Sequence, residues 1–501
     1  MNPLGLLPLV QAWAPEHAVL KLAIAIPGTV LLLLLYSLVQ SDEEQRVAAT
    51  LPLSGTSTIR PFFRARFDFL RSGFHLTGQS VFQFSLLRNT VIAVSGEPGR
   101  SDFFSCKGLD INEGFKVLSG AIPALPGVTS DLQGRRISLI HKRLIGVQTS
   151  ERLSNLIPYI IRDANQLVRS WGKSGSIDPF SHIPALIFQT TVRSLTCHEL
   201  ADDPAVVQRL MELYDRLDAT TTPMSVLLPW FPSPSMVKKW YATKQVHGIV
   251  NAAITNRMLS GVSRDDALQT LVDHGDDSYL ILGFIMGLLV AGARSTGTTA
   301  SWMSIFIGGH AKWREESKRE VRTLLAEHTS SDDRAGIAER LATVPLEAWE
   351  NNTPILDKII KEVLRIAQPH TAMRRNIGPE TYVNGTRIPS GAYVVYPFSD
   401  VHLNPELYPD PWAFDPDRPE SKKPFTYLGW GGGKTICLGQ RLARLQLKIL
   451  TALMLSQLDV ELVDETGQPP DSLPRPNWNE SLTCKPTNWS SRLRIRRIEP
   501  L

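Results

Sequence analysis

"YLGWGGGKTICLGQRLARLQ", residues 427–446, sets one cysteine at the seam between a glycine-rich loop and a helical pattern. The chain has four cysteines, Cys106, Cys197, Cys437 and Cys484, scattered without a C-x-x-C pair. That distribution argues against a disulfide framework and a zinc site, and favours a reducing compartment. Gly431, Gly432 and Gly433 let the backbone approach a flat ligand and adopt turns closed to other residues. Cys437 then stands at the head of a helix expected from Cys437 to about Leu458, whose unpaired N–H groups and positive dipole end favour a thiolate. A thiolate is a nucleophile or a metal ligand. No histidine or second cysteine lies nearby to complete a zinc site, so a single-thiolate ligand to a cofactor metal is the sharper reading. A glycine turn with a passive thiol is the plainer one.

Upstream, "TPILDKIIKEVLRIAQP" (353–369) reads as a helix, with Thr353 as its cap, Pro354 in its first turn and Pro369 beyond its end. Glu362 and Arg365, three apart, share one face and can meet a third partner. An E-x-x-R pattern alone carries no information in a chain this long. Here "DVHLNPELYPDPWAFDPDRP" (400–419) follows, and its Phe414, Pro416 and Arg418 offer that partner. Earlier still, residues 278–307 form the longest apolar run, about 45 Å as one helix. Arg294, Ser295, Thr296, Thr298 and Thr299 sit at its middle, where a lipid-facing helix tolerates them least. A buried central helix with a polar notch on a cavity fits better than a second membrane span.

Composition fits this picture: 501 residues, 43% hydrophobic, 20% charged and net charge +4. The core is that of one large domain, or of two or three ordinary ones, without the Lys/Arg stripes of a nucleic-acid binder. "SVFQFSLLRNTVIAVSG" (80–96) alternates as two strands with a turn at Arg88-Asn89. From about 140 to 365 the pattern is helical, broken at "TTPMSVLLPWFPSPS" (221–235), a candidate lid or membrane-touching surface. Leu22 to Val39 is an uncharged, mostly apolar stretch long enough to cross a bilayer. Lys21 precedes it and Arg46, Arg60, Arg64, Arg66 and Arg71 follow, which places the rest of the chain in the cytoplasm. A cleaved signal peptide is the alternative. The expected organisation is a short lumenal tail (1–21), a transmembrane anchor (22–39), a linker (40–60) and one catalytic domain (61–501).

Long notched helix, E-x-x-R helix, F-x-P-x-R segment and cysteine loop occur in this order, and together they resemble the cytochrome P-450 family of haem-thiolate proteins over essentially everything after the anchor. The resemblance implies a mainly α fold with small β-sheets, the haem lying between the long central helix and the cysteine-loop helix. It implies haem b with Cys437 as the axial thiolate. Glu362, Arg365 and Arg418 would form a buried ionic cluster bracing the loop. Gly433 and Gly439 match the family's loop, and Arg374 or Arg375 stands where an arginine holds a haem propionate.

The sequence also departs from that pattern. Trp430 replaces a phenylalanine, and Thr435 replaces the basic residue that holds a propionate, leaving Lys434 to substitute. The early W-x-x-x-R helix is not recognisable, with Lys142 and Arg143 in "LIHKRLIG" (139–146) as weak candidates. In the notch, Arg294 takes the position of the proton-relaying acid and Ser295 that of the principal hydroxyl, followed by Thr296. An arginine cannot relay protons, being permanently protonated and lacking an acceptor. Arg294 is therefore expected to face away into a salt bridge, with Ser295 and Thr296 as the catalytic hydroxyls. Acid-less notches occur in family branches acting on sterols and prostanoids, some of them isomerases.

By this resemblance the protein is a monomeric, single-pass monooxygenase of the endoplasmic reticulum membrane, taking NADPH electrons from NADPH–cytochrome P-450 reductase. Lys422, Lys423, Arg441 and Lys448 are the expected docking charges. The substrate is a lipophilic small molecule such as a terpenoid, steroid or polyketide, in keeping with a fungal secondary-metabolite enzyme. Two other readings are a haem-thiolate isomerase or dehydratase without NADPH, and a non-catalytic haem- or lipid-binding membrane protein.

Overall fold

The alternating apolar residues of 80–96 fold as an antiparallel hairpin, in a computed structural model that describes residues 48–53, 56–118, 134–228, 231–329 and 335–498. The expected tail and anchor, 1–39, lie outside the described residues. The hairpin belongs to a six-stranded sheet of β1 (Ala49–Thr50), β2 (Val81–Leu86), β3 (Asn89–Val94), β4 (Leu109–Asp110), β5 (Thr371–Asn376) and β6 (Tyr393–Pro397), ordered β1-β2-β3-β6-β5-β4. β1 pairs in parallel with β2, and Leu51 is 2% exposed. The described fold thus reaches back to Ala48, ahead of residue 61.

The larger part is helical. Its long helices are α1 (Gly134–Gly146), α2 (Ser150–Ser170), α3 (Pro179–Leu195), α4 (Pro204–Ala219), α5 (Pro234–Ser260), α6 (Ser278–Gly309), α7 (Ala311–His328), α8 (Pro354–Ile366) and α9 (Gln440–Gln457). The apolar run predicted as one helix is α6, capped by Asp277, whose carboxylate accepts from the Leu280 N–H. It is long and apolar enough to cross a membrane. Instead it packs on α3, α5, α8, α9 and the strand Leu458–Val463, which makes it the axle of the main core. The proline-broken stretch 221–235 holds only the short helix Pro223–Leu227 before α5 begins at Pro234. A second sheet joins Leu458–Val463, Arg492–Arg497 and Ser174–Ile177, so the tail closes onto the helical core.

Helix α8 lies where the sequence placed it, but its cap does not. The Thr353 hydroxyl donates backward to the Trp349 carbonyl. The orphan N–H groups of Ile355 and Leu356 go to the Glu320 carboxylate of α7, at 2.6 and 3.0 Å. A helix N-terminus attracts negative charge from wherever the fold can supply it.

Candidate active site

Glu362 and Arg365, one turn apart on the buried face of α8, form a two-pronged ion pair at 2.7 and 2.8 Å. Arg418 joins through its Nε at 3.0 Å from Glu362 Oε1, as the sequence suggested. The remaining donors of both arginines go to main-chain oxygens. Arg365 donates to His402 and Pro411, and Arg418 to Pro409, Asp410 and Ala413, at 2.6 to 2.9 Å. One carboxylate thus pins the irregular chain from 402 to 418 through two guanidinium forks. Such a cluster orders backbone that has no ladder of its own.

His402 carries the brace into the cysteine loop. Its carbonyl accepts from Arg365, and its ring Nε2 accepts from the Leu428 N–H at 2.9 Å. The ring is fully buried, and burial, with Arg365 and Arg100 nearby, pushes its pKa down to about 3. It is therefore neutral and serves as an acceptor. No local sequence pattern marks His402 for this link, since its partners Arg365 and Leu428 lie 37 and 26 positions away.

The loop itself departs from helix before the cysteine. Gly433 has φ +57°, and a Cβ there would lie 2.2 Å from the Phe104 carbonyl oxygen, so no other residue fits. Trp430 O accepts from the Cys437 N–H at 2.8 Å, closing the loop across its neck. Cys437 is exposed, flanked by the exposed apolar Ile436 (54%) and Leu438 (40%). Burial of the surrounding loop pushes the Cys437 thiol up, and the Gly439 N–H on the sulfur pulls it down. A cation bound to the sulfur would favour the thiolate over the thiol. Helix α9 starts at Gln440, not at Cys437.

Arg374 is the second notable group. It is 5% exposed and reaches Thr435 Oγ1 at 2.6 Å, with no ion-pair partner among the described residues. Burial pushes its pKa down to about 10, which the Asp110 carboxylate offsets only in part. A buried guanidinium beside the cysteine loop, without an ion-pair partner among the described residues, suits the carboxylate of a bound group. Lys434, also in the loop, is exposed.

Three of the expected contributors are engaged elsewhere. Arg375 projects from the opposite face of β5, as strand alternation requires. It lies over the Tyr393 ring, donates to the Gly391 carbonyl and faces Glu113. The Arg143 fork is filled by Asp276, at 2.6 and 2.7 Å, so it is not free to hold a ligand carboxylate. Lys448 is 3% exposed, bound to Asp357 and the Trp349 carbonyl, and offers no charge to a docking partner. Arg441 is tied to Glu350 and Lys423 to Glu97, while Lys422 is exposed.

On α6, Arg294 turns toward α4, where it donates to Asp215 at 2.8 Å and pairs with Asp218. Ser295, next in the helix, is exposed, and its hydroxyl donates back to the Ala291 carbonyl at 2.8 Å. Thr296 is buried. Thr298 Oγ1 and Trp302 Nε1 donate to the Leu482 and Thr483 carbonyls, fastening the helix to the tail. A separate cleft of about 450 Å³ opens beside Glu362, Tyr408, Arg418 and Arg444; its walls are charged and do not include Cys437.

A family model described as cytochrome P450 matches residues 132–489. The chain is 29% identical over 472 residues to the cytochrome P450 monooxygenase AacuE of Aspergillus aculeatus, covering 89% of this chain and 93% of that one. It is 30% identical over 407 residues to the cytochrome P450 monooxygenase nsrP of Aspergillus novofumigatus, covering 77% and 78%. Among solved structures, a retinoic acid bound cyanobacterial CYP120A1 superposes with a TM-score of 0.71 at 21% identity, over 91% of this chain and 100% of that one.

Proposed function

The chain belongs to the cytochrome P450 family and is a haem-thiolate monooxygenase; from that premise we propose that it inserts one oxygen atom of dioxygen into a lipophilic small molecule, the other leaving as water, with electrons from NADPH passed on by a reductase. The observation that carries this is the joint one at the cysteine loop. An accessible Cys437 lies between apolar Ile436 and Leu438, with the buried Arg374, which has no ion-pair partner among the described residues, bonded to Thr435 of the same loop. These residues fit a flat, apolar macrocycle that bears carboxylates and an axial metal.

When bound, the haem supplies dioxygen activation, and its thiolate ligand favours O–O cleavage. Cys437 would hold the metal, and Gly433 and Gly439 would keep the loop close to the macrocycle. Arg374, with Thr435, would hold one propionate, and Lys434 is positioned in sequence to take the other. The cluster of Glu362, Arg365 and Arg418 would fix the loop's direction without touching the macrocycle.

Proton delivery falls to the hydroxyls of the notch. Arg294 is committed to Asp215 and Asp218, so Ser295 Oγ, with Thr296 beside it, would orient a water and pass its proton. The substrate reading rests on the apolar, charge-poor walls that the sequence leads one to expect at 114–130, 221–240, the notch, 369–373 and 476–490, and names a terpenoid, steroid or polyketide. It is in keeping with the retinoic acid held by the cyanobacterial neighbour. We place the enzyme on the endoplasmic reticulum membrane through the 22–39 stretch, as a monomer, its domain cytoplasmic and its partner NADPH–cytochrome P-450 reductase. The test is turnover of a lipophilic substrate by membranes carrying the protein, with and without reductase and NADPH. Oxidation without any reductase would sink the reading.

One observation favours a second reading, in which the haem-thiolate centre rearranges or dehydrates an already oxidised substrate: position 294 carries no acid. Strict dependence of product on NADPH and dioxygen would eliminate it.

A further inference from the structure

Helix α9 should begin one turn earlier than it does. In a regular helix the Leu442 N–H would bond to the Leu438 carbonyl four residues back. A side chain from outside the loop holds both groups instead. Gln148, 6% exposed in the short link between α1 and α2, accepts from the Leu442 N–H through Oε1 at 3.2 Å. Its Nε2 donates to the Leu438 carbonyl at 2.9 Å and to Leu144 O at 2.9 Å, so every polar group of the side chain is used.

The amide therefore intercalates where one rung of the helix would be. It satisfies an orphan donor at the third position of α9, which Gly439 at the N-cap has no side chain to reach. The position of Gln148 is itself secured, because Arg441 Nη1 donates to its main-chain carbonyl at 2.9 Å while the same guanidinium holds Glu350 and Ser150. Between the two groups that the amide holds apart lies Gly439, whose N–H draws the Cys437 thiol down against the rise that burial imposes.

We propose that Gln148 is a positioning residue for the metal-binding thiolate: its side-chain amide keeps the Cys437–Gly439 turn out of the helix and aims the Gly439 N–H at Sγ. Hydrogen bonds to a ligand sulfur set the potential of the metal it binds. Losing the amide lets Leu438 and Leu442 bond directly, the turn winds into α9, and the N–H leaves the sulfur. The inference rests on the haem-thiolate reading of Cys437.

The test uses the full-length, haem-loaded protein and two variants, Gln148→Leu and Gln148→Asn. The first has no amide, and the second has one a methylene too short to span both groups. Redox titration is the readout, with the reduced carbon-monoxide spectrum as a check on the thiolate ligand. Gln148→Leu is expected to favour the ferric state about tenfold more, a drop of about 59 mV for a one-electron couple. Gln148→Asn should move in the same direction by less. An unchanged potential in the variants that hold haem, even with lowered thermal stability, would leave Gln148 merely structural and overturn the proposal. If Gln148→Leu does not load haem, Gln148→Asn decides. A wild type without the thiolate spectrum would instead remove the reading on which the inference stands.

Discussion

The cysteine side and the notch side of this site are built on opposite principles. Around the cysteine loop, Glu362, Arg365, Arg418, His402 and Gln148 leave almost no backbone group to chance, and all but the half-buried Arg418 are buried. At the notch, the family's acid is gone, its position is spent on a partly exposed bridge to α4, and Ser295 bonds only to its own helix. A ligand sulfur must be held to within a fraction of an ångström, which demands over-determination. A proton relay can be rebuilt from hydroxyls and water, and so tolerates substitution.

The contrast can be broken first at its strongest point. Cys437→Ala should abolish the thiolate-type carbon-monoxide spectrum and all turnover; retention of that spectrum would displace Cys437 as the ligand. Next comes Glu362→Gln, which strands the charges of Arg365 and Arg418. It should cost about 3–5 kcal/mol, seen as a lowered denaturation midpoint and poor haem incorporation.

The notch then offers a paired experiment. Ser295→Ala should slow NADPH-dependent oxidation about a hundredfold, the low end for a lost proton-transfer group. Arg294→Leu should leave the turnover rate unchanged and cost about 1 kcal/mol of stability, since its partners are partly exposed. Equal losses from both would place Arg294 in the chemistry after all. A smaller effect is expected at the macrocycle's edge. Arg374→Leu should speed haem release into an acceptor protein about tenfold, the low end for one charge-assisted hydrogen bond of about 1.5–3 kcal/mol.

The smallest test is pH. His402 stays neutral in the folded chain down to about 3, while unfolded it takes a proton below about 6.5. The unfolded state therefore binds more protons between these values, and stability falls as pH drops through that window. The contribution is full above about 6.5 and is lost at up to about 1.4 kcal/mol per pH unit below it. His402→Gln keeps an acceptor for Leu428 without titrating, and should flatten the denaturation curve by that slope.

Sequence alone settled the short-spaced patterns that no distant group overrides. The apolar run of α6, the E-x-x-R face of α8 and the glycine loop before Cys437 are local patterns, and local patterns carry periodicity and backbone freedom directly. They also fixed the family, because the order of the four elements is specific where each alone is not. Contacts made by residues far apart in the chain were out of reach. Nothing local says that Glu320 caps α8 in place of Thr353, that Asp276 takes Arg143, or that Lys448 is buried against Asp357. Arg374 and Arg375 are adjacent, and only the pairing of β5 with its neighbours decides which one turns to the cysteine loop. Gln148, separated from Leu438 by nearly three hundred positions, has no motif at all. The physical reason is common to these cases: a buried donor or acceptor must be satisfied, but the chain does not state in advance which distant group will do it.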